Sequence, residues 1–179
     1  MPPISEDYRM RDRADFERYV EQRSARLLRT AYLLCRDWGT AEDLLQTALA
    51  KAWFAWRRVG ENPDPYVYRI LANTHATWWR RRWKGEIPTE TLPDEAARGP
   101  AADPAAGLGA RDEVRSVLAA LPARQRAVLV LRYFADLPDA EIAEVLGCSV
   151  ATVRSQAARA LAKLRVDPAA RAALTSELR

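Results

Sequence analysis

From Gly85 to Ala110 the chain reads GEIPTETLPDEAARGPAADPAAGLGA. Pro88, Pro93, Pro100 and Pro104 each remove a backbone donor, and Gly99, Gly107 and Gly109 loosen the backbone, so no regular element runs through. The acids Glu86, Glu90, Asp94, Glu95 and Asp103 stand against a single base, Arg98, and no apolar periodicity survives. Such a segment buries too little apolar surface to offset its conformational entropy. The expectation is an extended, flexible acidic linker over 85–111, with two small folded units at 15–84 and 112–168 and tails at 1–14 and 169–179. An open linker of this kind decouples the units it joins.

Both units read as helical. In the first, Phe16, Val20, Leu27, Ala31 and Leu34 recur at helical spacing. Asp37-Trp38-Gly39 breaks the pattern, and Thr40-x-x-Asp43 has the form of a capping box opening a second helix. Leu45, Ala48, Leu49, Ala52, Trp53 and Trp56 make its apolar stripe. The turn-rich run Gly60 to Pro65 precedes a third helix carrying Val67, Ile70, Leu71 and Thr74. In the second unit a short helix holds Val114, Val117, Leu118 and Leu121. Pro122 and Pro138 suit the first turns of the next two helices. Gly147 suits a helix end, and Ser149 caps a last helix from Val150 to about Arg165. No segment alternates as a strand would. The fold class expected is all-α.

Charge and composition narrow the function. The net charge of +4 permits a polyanionic partner without requiring one. The first thirteen residues hold no apolar run, and nothing approaches the roughly 20 apolar residues that span a bilayer. The expected place is the cytoplasm, with no membrane insertion. Cys35 and Cys148 are far apart and outside any metal-binding spacing, so two free thiols are expected. The single histidine, His75, has no Cys, Asp or Glu at ligand spacing, and reads as a solvated or core residue. No nucleophile motif and no phosphate-binding glycine loop occurs. No catalytic residue, metal or cofactor is expected.

The sharpest motif lies between Pro138 and Arg165. Two helices meet at Gly147-Cys148-Ser149, and Ala143, Gly147 and Val153 have the spacing a helix-turn-helix requires. A small residue lets the helices approach, glycine takes the turn, and a β-branched residue locks the second helix onto the first. No acid occurs between Val145 and Val166, whereas Arg154, Arg159, Lys163 and Arg165 do. An acid-free basic amphipathic helix after such a turn suits the major groove. The plain alternative is a helical hairpin with a solvated basic face. Periodicity turns Val153, Ala157, Ala160, Leu161 and Leu164 inward, and Ala151, Thr152, Ser155, Ala158 and Arg159 outward. Arg159 has the geometry to pair with a guanine, whereas Arg154 and Lys163 suit phosphates.

A second motif is YVYRILANTHATWWRRRWK, Tyr66 to Lys84. Exposed aromatics stack on unpaired bases while neighbouring cations hold the backbone. Tryptophans at helical spacing equally fill cores, so Trp78 and Trp79 stand between the two roles.

Three blocks carry a family resemblance: AEDLLQTALAKAWFAW (Ala41 to Trp56), YVYRILANT (Tyr66 to Thr74), and Leu121 to Arg165. Together they resemble the sigma-70 family, in its small extracytoplasmic-function branch, from about Phe16 to Arg165. The resemblance implies an RNA polymerase sigma factor, monomeric when free, that binds core polymerase through the β′ clamp and the β subunit. Its partners would be promoter DNA, duplex and melted, and an anti-sigma protein; control by expression alone is the alternative. The first unit would be region two. Asp43, Gln46, Leu49 and Lys51 would touch core polymerase, though Asp43 and Gln46 also read as a capping acid and a solvated amide. Asn62, Tyr66, Arg69, Asn73, Trp78, Arg80 and Arg81 would meet the melted −10 element. The second unit would be region four, with Ala151, Thr152, Arg154, Ser155, Ala158, Arg159 and Lys163 at the −35 element. The linker would thread toward the RNA path, or serve as a plain tether.

This chain departs from the family pattern in places. Gln46-Thr47 replaces the common Gln-acid pair, so one clamp contact is missing. The proline-rich loop lacks an aromatic near Val59, and Gln156, Ala157 and Ala158 are small or neutral, so base preference does not transfer. The segment Val166 to Arg179 is short, and no large C-terminal sensory domain is expected. The rivals are a dimeric helix-turn-helix regulator reading a palindrome, a nucleic-acid enzyme, and an adaptor that sequesters polymerase.

Overall fold

The computed structural model describes residues 6–60, 62–83 and 115–166, with side chains at 13–60, 62–81 and 115–165. The expected linker and C-terminal tail lie outside the described residues. Among those described there are seven α-helices and no strand. They are α1 (Glu6–Cys35), α2 (Trp38–Ala55), α3 (Asp64–Trp83), α4 (residues 115–119), α5 (Ala123–Tyr133), α6 (Asp139–Leu146) and α7 (Val150–Val166). A 3-10 turn, Trp56–Arg58, follows α2.

The first unit is a three-helix group. Leu27, Leu44, Val67 and Leu71 are fully buried at its centre. Helix α1 begins at Glu6, well inside the stretch expected as a tail. Asp64, the first residue of α3, ties that helix to α1: it accepts the Tyr19 hydroxyl at 2.9 Å and pairs with Arg23 at 3.4 Å. Burial first, and then this carboxylate, push the Tyr19 phenol well above its ordinary range. Phe16 of α1 packs against Trp53 and Trp56 at ring distances of 5.1 and 4.9 Å, leaving Trp56 partly buried and Trp53 40% exposed, so the expected apolar stripe is not fully covered at Trp53.

The second helix starts three residues earlier than the capping box suggests. Arg36 takes a positive φ of 61°, and Asp37 is extended, at φ −138° and ψ 130°. The Asp37 carboxylate accepts both the Thr40 amide and its hydroxyl, each at 2.7 Å. Asp37 is thus the cap, and Thr40 is its partner. The helix gains the earlier turn because Trp38 is buried and stacks on Tyr32 at 4.1 Å. The Arg115 guanidinium of α4 lies 5.3 Å from both rings. Asp37→Ala should cost about 1 kcal/mol, the usual worth of an N-cap. Thermal unfolding would register it as a lowered midpoint.

The second unit packs α5, α6 and α7 around Val128, Leu129, Val130, Ile142, Val153 and Ala160, all at 1% exposure or less. Gly147 ends α6 in the left-handed region, at φ 64°. The Cys148 amide bonds back to the Ala143 carbonyl at 3.0 Å, closing the helix. Ser149 then caps α7, accepting the Thr152 amide at 3.1 Å.

The two units are not decoupled as the linker suggested. Helix α1 packs on α5 and α3 on α6, and the buried side chains of both units form one continuous cluster. Arg69 of α3 grips Glu141 of α6 through two hydrogen bonds, at 2.8 and 2.7 Å. His75 of α3 stacks edge-on against Trp79 at 5.9 Å. Burial, and then the nearby Arg126 charge from α5, lower its pKa to about 4. The imidazole is neutral at pH 7.

Candidate nucleic-acid interface

Helix α7 separates its faces as the periodicity predicts. Val153, Ala157, Ala160 and Leu164 are buried against α5 and α6, and Leu161 is partly buried. Ala151, Arg154, Ser155, Ala158, Arg159 and Lys163 are exposed, and Thr152 is partly so. The Ser155 hydroxyl donates to the Thr152 carbonyl at 3.0 Å, and the Thr152 hydroxyl lies 2.9 Å from Ser149 Oγ. Both hydroxyls keep acceptor capacity for an outside donor. The exposed side is therefore basic, acid-free and continuous, with small residues that let a groove wall approach.

On α3 the candidate residues divide. Asn73, Arg80 and Arg81 are exposed, as is Asn62 in the preceding loop. Tyr66 is partly exposed. Trp78 is partly buried and packs against the core, so the core role claims much of its surface. Arg69 is exposed, but its guanidinium is held by Glu141. The side chains of Arg82 and Trp83, and all of Lys84, lie outside the described residues.

On α2, Asp43 and Gln46 stand exposed. Lys51 donates to the Thr74 hydroxyl of α3 at 3.0 Å. Leu49 is corrected: it is only 7% exposed and belongs to the chain's own core, so it does not face outward. Its place in the apolar stripe already carried that meaning. Phe54 went unnoticed in the sequence, yet it is 87% exposed, three helical turns beyond Asp43 on the same face. An aromatic next to Trp53 and Trp56 reads as core; only the packing shows that it is left out. The Arg132–Asp139–Arg154 network was also missed, because its members come from three helices.

Both cysteines are free thiols. Among the described residues no helix is long and apolar enough to cross a membrane, and no cluster of His, Cys, Asp or Glu is suited to a metal.

A helix-turn-helix with an exposed basic second helix, set beside a helical unit bearing aromatic and basic residues, defines a two-module DNA-binding protein. Family comparison agrees with both modules. Residues 19–85 match the model of sigma-70 region 2, and residues 111–164 that of sigma-70 region 4. The chain is 40% identical over 159 residues to the RNA polymerase sigma-E factor of Streptomyces coelicolor, covering 88% of each. It is 31% identical to the ECF RNA polymerase sigma factor SigG of Mycobacterium tuberculosis, over 88% of this chain and 50% of that protein. In fold it resembles the sigma factor RpoE of Bartonella quintana, solved in complex with the anti-sigma factor NepR. The TM-score is 0.56 at 24% identity, over 86% of this chain and 98% of that one. It also resembles CnrH, solved with the cytosolic domain of CnrY, at a TM-score of 0.52 and 22% identity, over 86% and 87% of the two chains. The chain belongs to the sigma-70 family, in its extracytoplasmic-function branch, and is a promoter-specific transcription initiation factor.

Proposed function

We propose that this protein is a non-catalytic specificity subunit that docks on core RNA polymerase by α2 and reads two promoter elements, one with each helical unit. The observation that carries this is the acid-free basic face of α7, exposed while its other face is buried. Region four would read the −35 element with Ala151, Thr152, Arg154, Ser155, Ala158, Arg159 and Lys163. Region two would hold the melted −10 strand with Asn62, Tyr66, Asn73, Arg80 and Arg81, cations tracking the backbone and the aromatic stacking on a base. Arg69 joins them once its pair with Glu141 is given up, and Trp78 contributes its uncovered edge.

Asp43 and Gln46 supply the polar contacts to the β′ clamp, and Phe54 adds an apolar anchor on the same face. Asp43→Ala should weaken binding to core polymerase by about 1.5–3 kcal/mol if the contact is charge-assisted. Its circular dichroism and its region-four DNA binding should stay unchanged. Loss of both would mean misfolding instead. The protein acts in the cytoplasm, where polymerase and DNA are. An anti-sigma protein covering these docking surfaces is the regulator, a reading supported by the likeness to the sigma factor RpoE solved with the anti-sigma factor NepR.

In vitro run-off transcription tests the whole reading. Core polymerase, this protein and a fragmented genomic library should yield discrete starts that share two upstream elements at constant spacing. Core polymerase that binds the protein without such starts would sink the initiation role.

A further inference from the structure

Three elements of the helix-turn-helix meet at one carboxylate. Asp139 opens α6, and its Oδ1 accepts the Nε of Arg132 from α5 at 3.0 Å, with an Nη of the same guanidinium beside it. Its Oδ2 accepts the Nε of Arg154 from α7 at 3.4 Å. The Arg132 and Asp139 side chains are each 24% exposed, whereas Arg154 keeps 72%. The hydrogen bond from Arg132 leads in holding the Asp139 carboxyl below its ordinary pKa, and Arg154 adds to it. The carboxylate is therefore charged and fixed from behind.

The chemistry of a guanidinium gives this arrangement a direction. A carboxylate on Nε stops rotation of the planar group and leaves the two terminal amines pointing away as a fork. An unanchored arginine loses side-chain entropy when it binds; an anchored one has already lost it. Two arginines surround one acid, so the cluster stays net positive and does not repel DNA.

We propose that Asp139 is a positioning residue for promoter recognition. Anchored by Arg132, it holds Arg154 through Nε so that the terminal amines meet a two-acceptor target on DNA. That target is a guanine O6/N7 edge or a phosphate. The inference rests on the reading of α7 as the DNA-facing helix.

The test is a double-mutant cycle in reconstituted holoenzyme. The probe is a duplex selected by wild-type holoenzyme from a library randomised across the upstream element. Asp139→Asn should weaken binding roughly threefold to tenfold, a part of what one bidentate contact is worth. Arg154→Ala should weaken it at least as much, and the double variant no further, because Asp139 acts only through Arg154. Asp139→Ala serves as a second variant, and thermal unfolding confirms that each remains folded. Loss of discrimination at one base pair identifies a guanine; a uniform loss with a shallower salt dependence identifies a phosphate. The proposal is overturned if Asp139→Asn binds as tightly as wild type or tighter. It is overturned equally if the loss persists undiminished beside Arg154→Ala, the signature of a merely structural role. If Arg154→Ala alone leaves binding unchanged, the DNA-facing assignment itself fails at that position, and the proposal with it.

Discussion

Replacing Arg159 by alanine should weaken binding of holoenzyme to its upstream promoter element by about 1–3 kcal/mol, some fivefold to more than a hundredfold. Arg159 lies on the exposed face of α7, one helical turn beyond Ser155 and on the side away from Val153 and Ala160. A guanidinium there has the reach and the two parallel donors to pair with O6 and N7 of a guanine. Lysine keeps the charge but not the fork, so Arg159→Lys should restore non-specific affinity without restoring discrimination. Binding measured against single base-pair substitutions separates these effects. Equal affinity of Arg159→Ala and wild type for a cognate promoter would remove Arg159 from the reading surface.

The other large effect is on stability. Leu129 is 1% exposed in α5, the helix against which α7 packs. Leu129→Ala removes buried methyl groups and leaves a cavity, and should cost about 2–5 kcal/mol. That is a large fraction of the 5–15 kcal/mol that a domain usually has. Because α5 also packs on α1, and the buried cluster runs through both units, urea unfolding should show one transition displaced to lower denaturant. A variant in which region two keeps its original midpoint while region four melts early would show that the interface between them is too weak to couple the units.

Much of the local architecture was readable in the chain. Gly147 at the end of α6, Ser149 at the start of α7 and the proline before each of α5 and α6 act through their own backbone and nearest neighbours. The same holds for the two faces of α7, since a period of 3.6 residues sorts side chains whatever they later pack against. The start of α2 was misplaced because two capping signals compete there. Asp37 prevailed over Thr40 since the earlier start lets Trp38 stack on Tyr32 beneath Arg115. That benefit comes from α1 and α4 and leaves no trace in local spacing.

The same division runs through the candidate site. Charge and helical period were enough to indicate two helical modules and a basic exposed helix, and the resemblance of three sequence blocks pointed to the family. Charge and period act through bonds and neighbours that the chain carries with it. Tertiary packing settled which aromatics stand outside, leaving Phe54 and, less fully, Trp53 exposed while Phe16 and Tyr19 pack against Trp56. Packing also put Leu49 in the core, joined Arg69 to Glu141 across 72 residues, and brought Arg132, Asp139 and Arg154 to one point. Such contacts depend on the angle and depth at which whole helices meet, and many side chains share in setting these, so no short stretch of sequence encodes them.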